Sequence, residues 1–232
     1  GSSTRQAADI DLRFAEVVDE PSPIRAVAAA TRMVRDGDAD ILMKGYVHTD
    51  DFLRGVLHKE HGLRTGSIMS HVFVVEQAEE GRLIYVTDAA MNIAPDLEQK
   101  AAILLNAVYL ARLYGIERPK VAVLAAVELV NPAMPATLEA AALAKMADRR
   151  QYSPGPVVDG PFALDNAVSP SAASHKNITG PVAGAADVLV VPDVEAGNIF
   201  VKGLVYFAGR RAIGLLVGAA PPVVLTIRAD TK

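Results

Sequence analysis

Short apolar runs alternate with longer stretches of helical spacing through most of this chain. That alternation constrains the fold more than any other feature. "DILMKG" (40–45), "KVAVLAA" (120–126), "ADVLVVPD" (186–193), "AIGLLVG" (212–218) and "VVLTI" (223–227) read as strands. "SPIRAVAAATRMVRDG" (22–37) has helical spacing, with Ser before Pro at its start and Gly37 at its stop. "TDDFLRGVLHKEHG" (49–62) reads as a helix with Thr49 as N-cap and Gly62 as its end. "DLEQKAAILLNAVYLARLYG" (96–115) carries Asp96 and Gln99 at capping-box spacing. "PATLEAAALAKMADRR" (135–150) is helical by composition, and "VEAGNIFVKGLVYFAG" (194–209) is read as a helix despite its glycines. "SIMSHVFVVE" (67–76) and "RLIYVTD" (82–88) form a hairpin or lie side by side. "QYSPGPVVDGPF" (151–162) is a long loop or a short strand between loops. The expected fold class is α/β, with mainly parallel sheets covered on both faces. Ligands then bind beyond the carboxyl ends of the strands.

Hydrophobic residues make up 51% of the 232, enough for one large or two small domains. Nothing in the sequence is long and apolar enough to span a bilayer, so no membrane partner is expected. A net charge of −4, 5% aromatics and no Lys/Arg-rich block argue against a nucleic-acid partner. Cysteine is absent, which excludes disulfides, thiolate metal sites and a cysteine nucleophile. Any thiol in the chemistry must therefore belong to a ligand. The same absence fits a cytoplasmic protein.

No G-x-G-x-x-G follows a strand, and neither a P-loop nor an H-E-x-x-H is present, so no permanently bound cofactor and no metal are expected. His58 and His61 flank Lys59-Glu60 and read as a polar helix end that suits the helix dipole, not as a metal pair. Arg64, Thr65, Gly66 and Ser67 stand together, with Ser70 just beyond. Backbone N–H groups at a glycine turn, hydroxyls and a guanidinium are what a phosphate needs, and an ordinary loop entering a strand is the other reading. Asn198 and Lys202 lie one helical turn apart, facing either a cleft or water. Asp159, Asp165 and Asn166 suit turns and caps better than a paired-carboxylate mechanism. Arg228 closes a run that reads as a buried strand. A guanidinium there needs an anion, either Asp230 or a phosphate or carboxylate ligand.

Seven blocks carry a resemblance across nearly the whole length: "DADILMKGYVHTDDFLRGVL" (38–57), "GLRTGSIMSHVFV" (62–74), "VTDAAMNIAPDLEQKAAI" (86–103), "GIERPKVAVLAAVELVNPAMPAT" (115–137), "DGPFALDNAVS" (159–169), "GPVAGAADVLVVPDVEAGN" (180–198) and "LTIRADT" (225–231). In this order they resemble the phosphate acetyltransferase and phosphate butyryltransferase family, closest to its butyryltransferase-like branch. The resemblance implies transfer of a short acyl group between coenzyme A and inorganic phosphate. It also implies a two-domain fold like the isocitrate/isopropylmalate dehydrogenases with an inter-domain cleft. The expected division is 1–76 plus 214–232 for the first domain, truncated at both ends, and 77–213 for the second. Acyl-CoA, phosphate and acyl phosphate are the implied partners, with coenzyme A a substrate and not a resident cofactor. A homodimer or larger homo-oligomer is implied as well.

By the same resemblance Arg228 holds the phosphoryl group, and Arg64, Thr65, Gly66, Ser67 and Ser70 face the same cleft. Asp193, Asn198 and Lys202 belong to a "PD-x-E-x-G-N" block bordering it; Thr226, a candidate substrate-binding residue, is next in sequence to Ile227 and points to the other face unless the strand has ended there, and Asp230 is within reach in sequence. One position departs from the family pattern: Ile227 stands where a hydrogen-bonding serine is expected. That departure keeps open a coenzyme A or acyl-phosphate binding protein with impaired turnover, and a domain of a larger bifunctional polypeptide is a further alternative.

Overall fold

A computed structural model describes residues 15–77, 81–152 and 155–225. In chain order the elements are α1 (Pro23–Asp36), β1 (Leu42–Met43), α2 (Thr49–Val56), β2 (Ser70–Glu76), β3 (Leu83–Thr87), α3 (Leu97–Leu113), β4 (Lys120–Leu124), α4 (Pro135–Asp148), β5 (Val157–Phe162), α5 (Leu164–Val168), α6 (Pro170–His175), β6 (Val188–Val190), α7 (Val194–Tyr206), β7 (Ala212–Val217) and β8 (Val223–Leu225). Among the described residues the chain divides into two compact units, 15–65 with 219–224 and 66–218 with 225.

In the first unit β1 pairs in parallel with β8, Leu42 opposite Val223. Helix α1 ends on Gly37, whose φ of 87° lets its N–H reach back to the carbonyl of Val34. Helix α2 corrects two expectations. His48, not Thr49, is its N-cap, and the helix stops at Val56 instead of running to Gly62. Beyond it the chain folds back, with Leu63 N–H donating to the Val56 carbonyl at 2.9 Å. A Cβ on Gly62 would lie 2.4 Å from the carbonyl oxygens of both Val56 and His58. Gly62 therefore serves a close backbone approach and does not cap the helix. His58 and His61 lie past the helix, their rings stacked at 5.1 Å.

The second unit is built on six strands in the order β7-β2-β3-β6-β4-β5. The pairings β3·β6, β6·β4 and β4·β5 are parallel. Strand β2 runs antiparallel to both β3 and β7, so the runs 67–76 and 82–88 pair as antiparallel neighbours and the sheet is mixed at that side. Side chains alternate strictly between faces. Val72, Val74, Tyr85, Val121, Val123, Val188 and Val190 join one core with α3 and α4. Val75, Ile84, Val86, Ala122, Leu124 and Leu189 join the other with Val201 of α7. This period of two, buried on both sides, is why the strands read as continuous apolar runs. The capping box of α3 is present: Asp96 accepts from the Gln99 N–H, and the Gln99 side chain from the Asp96 N–H. No described helix is long and apolar enough to cross a membrane.

Candidate functional site

The carboxyl ends of β3, β6, β4 and β5 all face one edge of the second unit's sheet. Because β2 and β7 alternate in direction, the first residue of β2 (Ser70) and the last of β7 (Val217) lie at that edge too. Beyond β3 the chain folds around one carboxylate. Asp88 is buried, and its Oδ1 accepts from the N–H groups of Ala90 and Met91, both at 3.0 Å. Its Oδ2 accepts from the Asn92 N–H at 3.3 Å and the Asn92 Nδ2 at 2.5 Å. Asn92 Nδ2 also donates to the Met69 carbonyl, tying this loop to the entry of β2. Burial pushes the Asp88 carboxyl up from its ordinary value, while the hydrogen bonds from Ala90, Asn92, His71 and Met91 hold it down in part.

Helix α7 closes onto that loop. Asn198 Nδ2 donates to the Ala89 carbonyl at 3.1 Å. A Cβ on Gly197 would sit 2.7 Å from Val191 Cγ2 and 2.9 Å from Ala89 Cβ, so only glycine permits the approach. Asp193 caps the helix by accepting from the Ala196 N–H at 2.8 Å, and the Val194 N–H donates to the Ile93 carbonyl at 3.1 Å. The positive end of the α7 dipole thus faces the same edge as the Asp88 loop. Lys202, one turn past Asn198, is exposed.

Two further arrangements flank this centre. Asn106 of α3 donates to Ser70 Oγ at 2.9 Å and to the Ile68 carbonyl at 3.0 Å. Beyond β4 and β5, Glu128 Oε2 accepts from Asn166 Nδ2 and Lys176 Nζ, both at 3.3 Å, and Lys176 lies 3.6 Å from Asp165. Asn166 is fully buried, and its Oδ1 has no hydrogen-bond partner among the described residues.

The candidate residues fall into three groups. Asp193 and Asn198 come together with the Asp88 loop. Arg64 and Thr65 are exposed in the first unit, while exposed Gly66, at φ 90°, and exposed Ser67 begin the second. Ser70 departs from the expectation of an open phosphate donor. It is fully buried with its hydroxyl engaged by Asn106, because it starts a strand that enters the core. Thr226, Ile227, Arg228 and Asp230 lie outside the described residues. Asp159 and Asp165 each accept from the next residue's N–H, but Asp159 lies within β5 and Asp165 in the first turn of α5, whose N-cap is Ala163, so neither sits in the turn or cap expected of it. Sequence reasoning passed over Asp88, Asn92 and Asn106. The legible signal was an aspartate directly after an apolar strand, followed by small residues whose N–H groups are unobstructed. Among the described residues, no group of His, Asp or Glu side chains is suited to hold a metal ion.

A family described as phosphate acetyl/butaryl transferase matches residues 14–232. A phosphate butyryltransferase of Clostridium beijerinckii is 50% identical over 223 residues, covering 96% of this chain and 74% of that protein. A phosphate acetyltransferase of Rhizobium meliloti is 47% identical over 222 residues, 96% of this chain and 70% of that protein. The crystal structure of a branched-chain phosphotransacylase from Enterococcus faecalis V583 superposes with a TM-score of 0.82 at 38% identity, over 92% of this chain and 76% of that one.

Proposed function

The chain belongs to the phosphate acetyl/butaryl transferase family, and we propose from that premise that it transfers a short acyl group in a single ternary complex. The reaction exchanges the acyl group between coenzyme A and inorganic phosphate. The observation that carries it is the family match over residues 14–232, joined to relatives half identical to the chain.

In the direction of acyl-CoA formation, the coenzyme A thiolate attacks the carbonyl carbon of the acyl phosphate. The carbonyl oxygen takes up the electron pair, the pair returns as the carbon–oxygen bond to phosphate breaks, and phosphate leaves with that bond's electrons. Three demands follow: a cation on the leaving phosphate, donors for the developing oxyanion, and a base for the thiol proton. Arg228 is assigned the first role and Asp230 the last. Thr226 and the segment Arg64, Thr65, Gly66 and Ser67 supply donors, with Lys202 adding charge. Asp193 and Asn198 hold the loop Asp88–Asn92 and the start of α7 in register. Because the chain lacks cysteine, the reacting sulfur is the coenzyme's own. A two-domain division at 76/77 and 213/214, and a homodimer or larger assembly, belong to the same reading.

The test is thiol release from acetyl-, propionyl- and butyryl-CoA by the full-length protein, with and without phosphate. Phosphate-dependent release, lost in Arg228→Ala, is expected. No release from any of the three defeats the assignment. Ile227 favours a second reading, a protein that binds coenzyme A or acyl phosphate with impaired turnover, since isoleucine offers no hydroxyl to the oxyanion. A missing donor of this kind costs on the order of 10²–10³ in rate. Calorimetric binding without turnover, together with a rate gain in Ile227→Ser, supports that second reading.

A further inference from the structure

At the amino edge of the second unit's sheet, opposite the Asp88 loop, a cavity of about 580 Å³ opens beside the starts of β3 and β7. That volume lies in the usual range of small-molecule sites. Val74, Leu83, Val205 and Ile213 give it apolar walls, with Tyr114 beside them. Three arginines stand at these strand starts, and two have carboxylate partners. Arg82 pairs with Asp187 and Arg211 with Glu76, both at 2.7 Å. Arg210 lines the cavity half-buried, and among the described residues its side chain bonds neither a carboxylate nor a carbonyl. Its backbone is fixed by the bond from its N–H to the Leu204 carbonyl at 2.9 Å. A guanidinium keeps its charge, and drawing it out of water without an anion costs free energy. Apolar walls around one unpaired cation match a ligand with an apolar body and a single negative charge.

We propose that this cavity is a second binding site, which takes a small organic monoanion: a carboxylate on an aliphatic or aromatic body. Arg210 holds the carboxylate through its N–H donors, and the walls remove the body from water. The site lies away from the carboxyl edge and does not depend on the acyl-transfer reading. The substrates of that reading do not suit it. Coenzyme A brings several negative charges to one cation, and inorganic phosphate has no apolar body to bury.

The experiment titrates the full-length protein with anilinonaphthalenesulfonate, an apolar monoanion that fluoresces on leaving water, and competes it with hexanoate, hexanol or coenzyme A. The dye binds once per chain, and hexanoate displaces it while hexanol at the same concentration does not. Arg210→Gln weakens both dye and hexanoate about tenfold, and Arg210→Lys recovers most of that loss. Ile213→Asp, which puts a carboxylate in the wall, abolishes binding. Where that variant fails to fold, the Arg210 pair decides alone. Affinity unmoved by Arg210→Gln overturns the inference, and so does hexanol competing as well as hexanoate. Displacement by coenzyme A places the dye at the acyl-transfer site and overturns it too. A signal per chain that falls as protein concentration rises marks a second copy as the occupant, with the same result. Thiol release is not a readout here, so this inference and the acyl-transfer reading fail independently.

Discussion

The two edges of the second unit's sheet each hold a buried or half-buried aspartate, and the two are built differently. At the amino edge Asp187 meets a guanidinium. Arg82 Nη2 donates to Asp187 Oδ1 at 2.7 Å and to the carbonyls of Ala185 and Ala186 at 2.9 Å, while the Lys120 N–H donates to Asp187 Oδ2. At the carboxyl edge Asp88 is held by backbone N–H groups and an asparagine amide, all neutral. A paired charge closes the amino edge. An unneutralised carboxylate shapes the carboxyl edge, its charged form disfavoured by burial. The lesson concerns these two aspartates: Asp187 sits in a charge pair, while Asp88 accepts a desolvation penalty to define its loop.

The largest effect expected from breaking this contrast is Asp88→Ala. It strands several half-buried donors, lowers stability by about 3 kcal/mol, and removes phosphate-dependent thiol release even where the protein stays folded. Denaturant unfolding and the assay read the two losses separately. Asp187→Asn comes next. It weakens charge-assisted bonds and costs about 2 kcal/mol, with turnover of the folded fraction unchanged. If Asp187→Asn abolished turnover at retained stability, the division between the edges would be wrong.

A pH-dependent effect of similar size sharpens the comparison. Burial lowers the His71 imidazole from 6.5 to about 3. Its folded pKa is depressed, so its contribution is present above 6.5 and lost as pH falls toward 3. Between pH 6.5 and 5 that loss is roughly 2 kcal/mol, at about 1.4 kcal/mol per unit. His71→Gln flattens the stability slope in this window by about one proton. The smallest effect is Asn198→Ala, about 1 kcal/mol for its bond to Ala89. It raises the KM for acyl-CoA more than it lowers kcat, since it loosens the loop without touching the reacting atoms.

Much of the fold was legible because periodicity is a local signal. The strand runs, the capping box at Asp96 and the α7 helix follow directly from side-chain order. Gly62 misled because a glycine needed for close backbone approach looks in sequence like one that ends a helix. Ser70 shows a related limit: a hydroxyl beside a glycine turn reads as a ligand donor, and only the fold shows that it is buried and that its oxygen accepts from Asn106, 36 residues away. Asp88 went unnoticed because its partners are mainly backbone N–H groups, which no residue type announces. The quoted block named Asp193 and Asn198, but their contacts with the following turn and with Ala89 required three dimensions.

Hydrogen–deuterium exchange with and without butyryl-CoA tests the central claim most directly, since it asks which sheet edge the substrate covers. Slowed exchange in 88–94, 126–131 and 193–199, with the amino-edge segments unchanged, is the expected result. Slowing confined to the opposite edge, around the cavity of about 580 Å³ lined by Glu76, Leu83, Tyr114, Arg210 and Ile213, would contradict it.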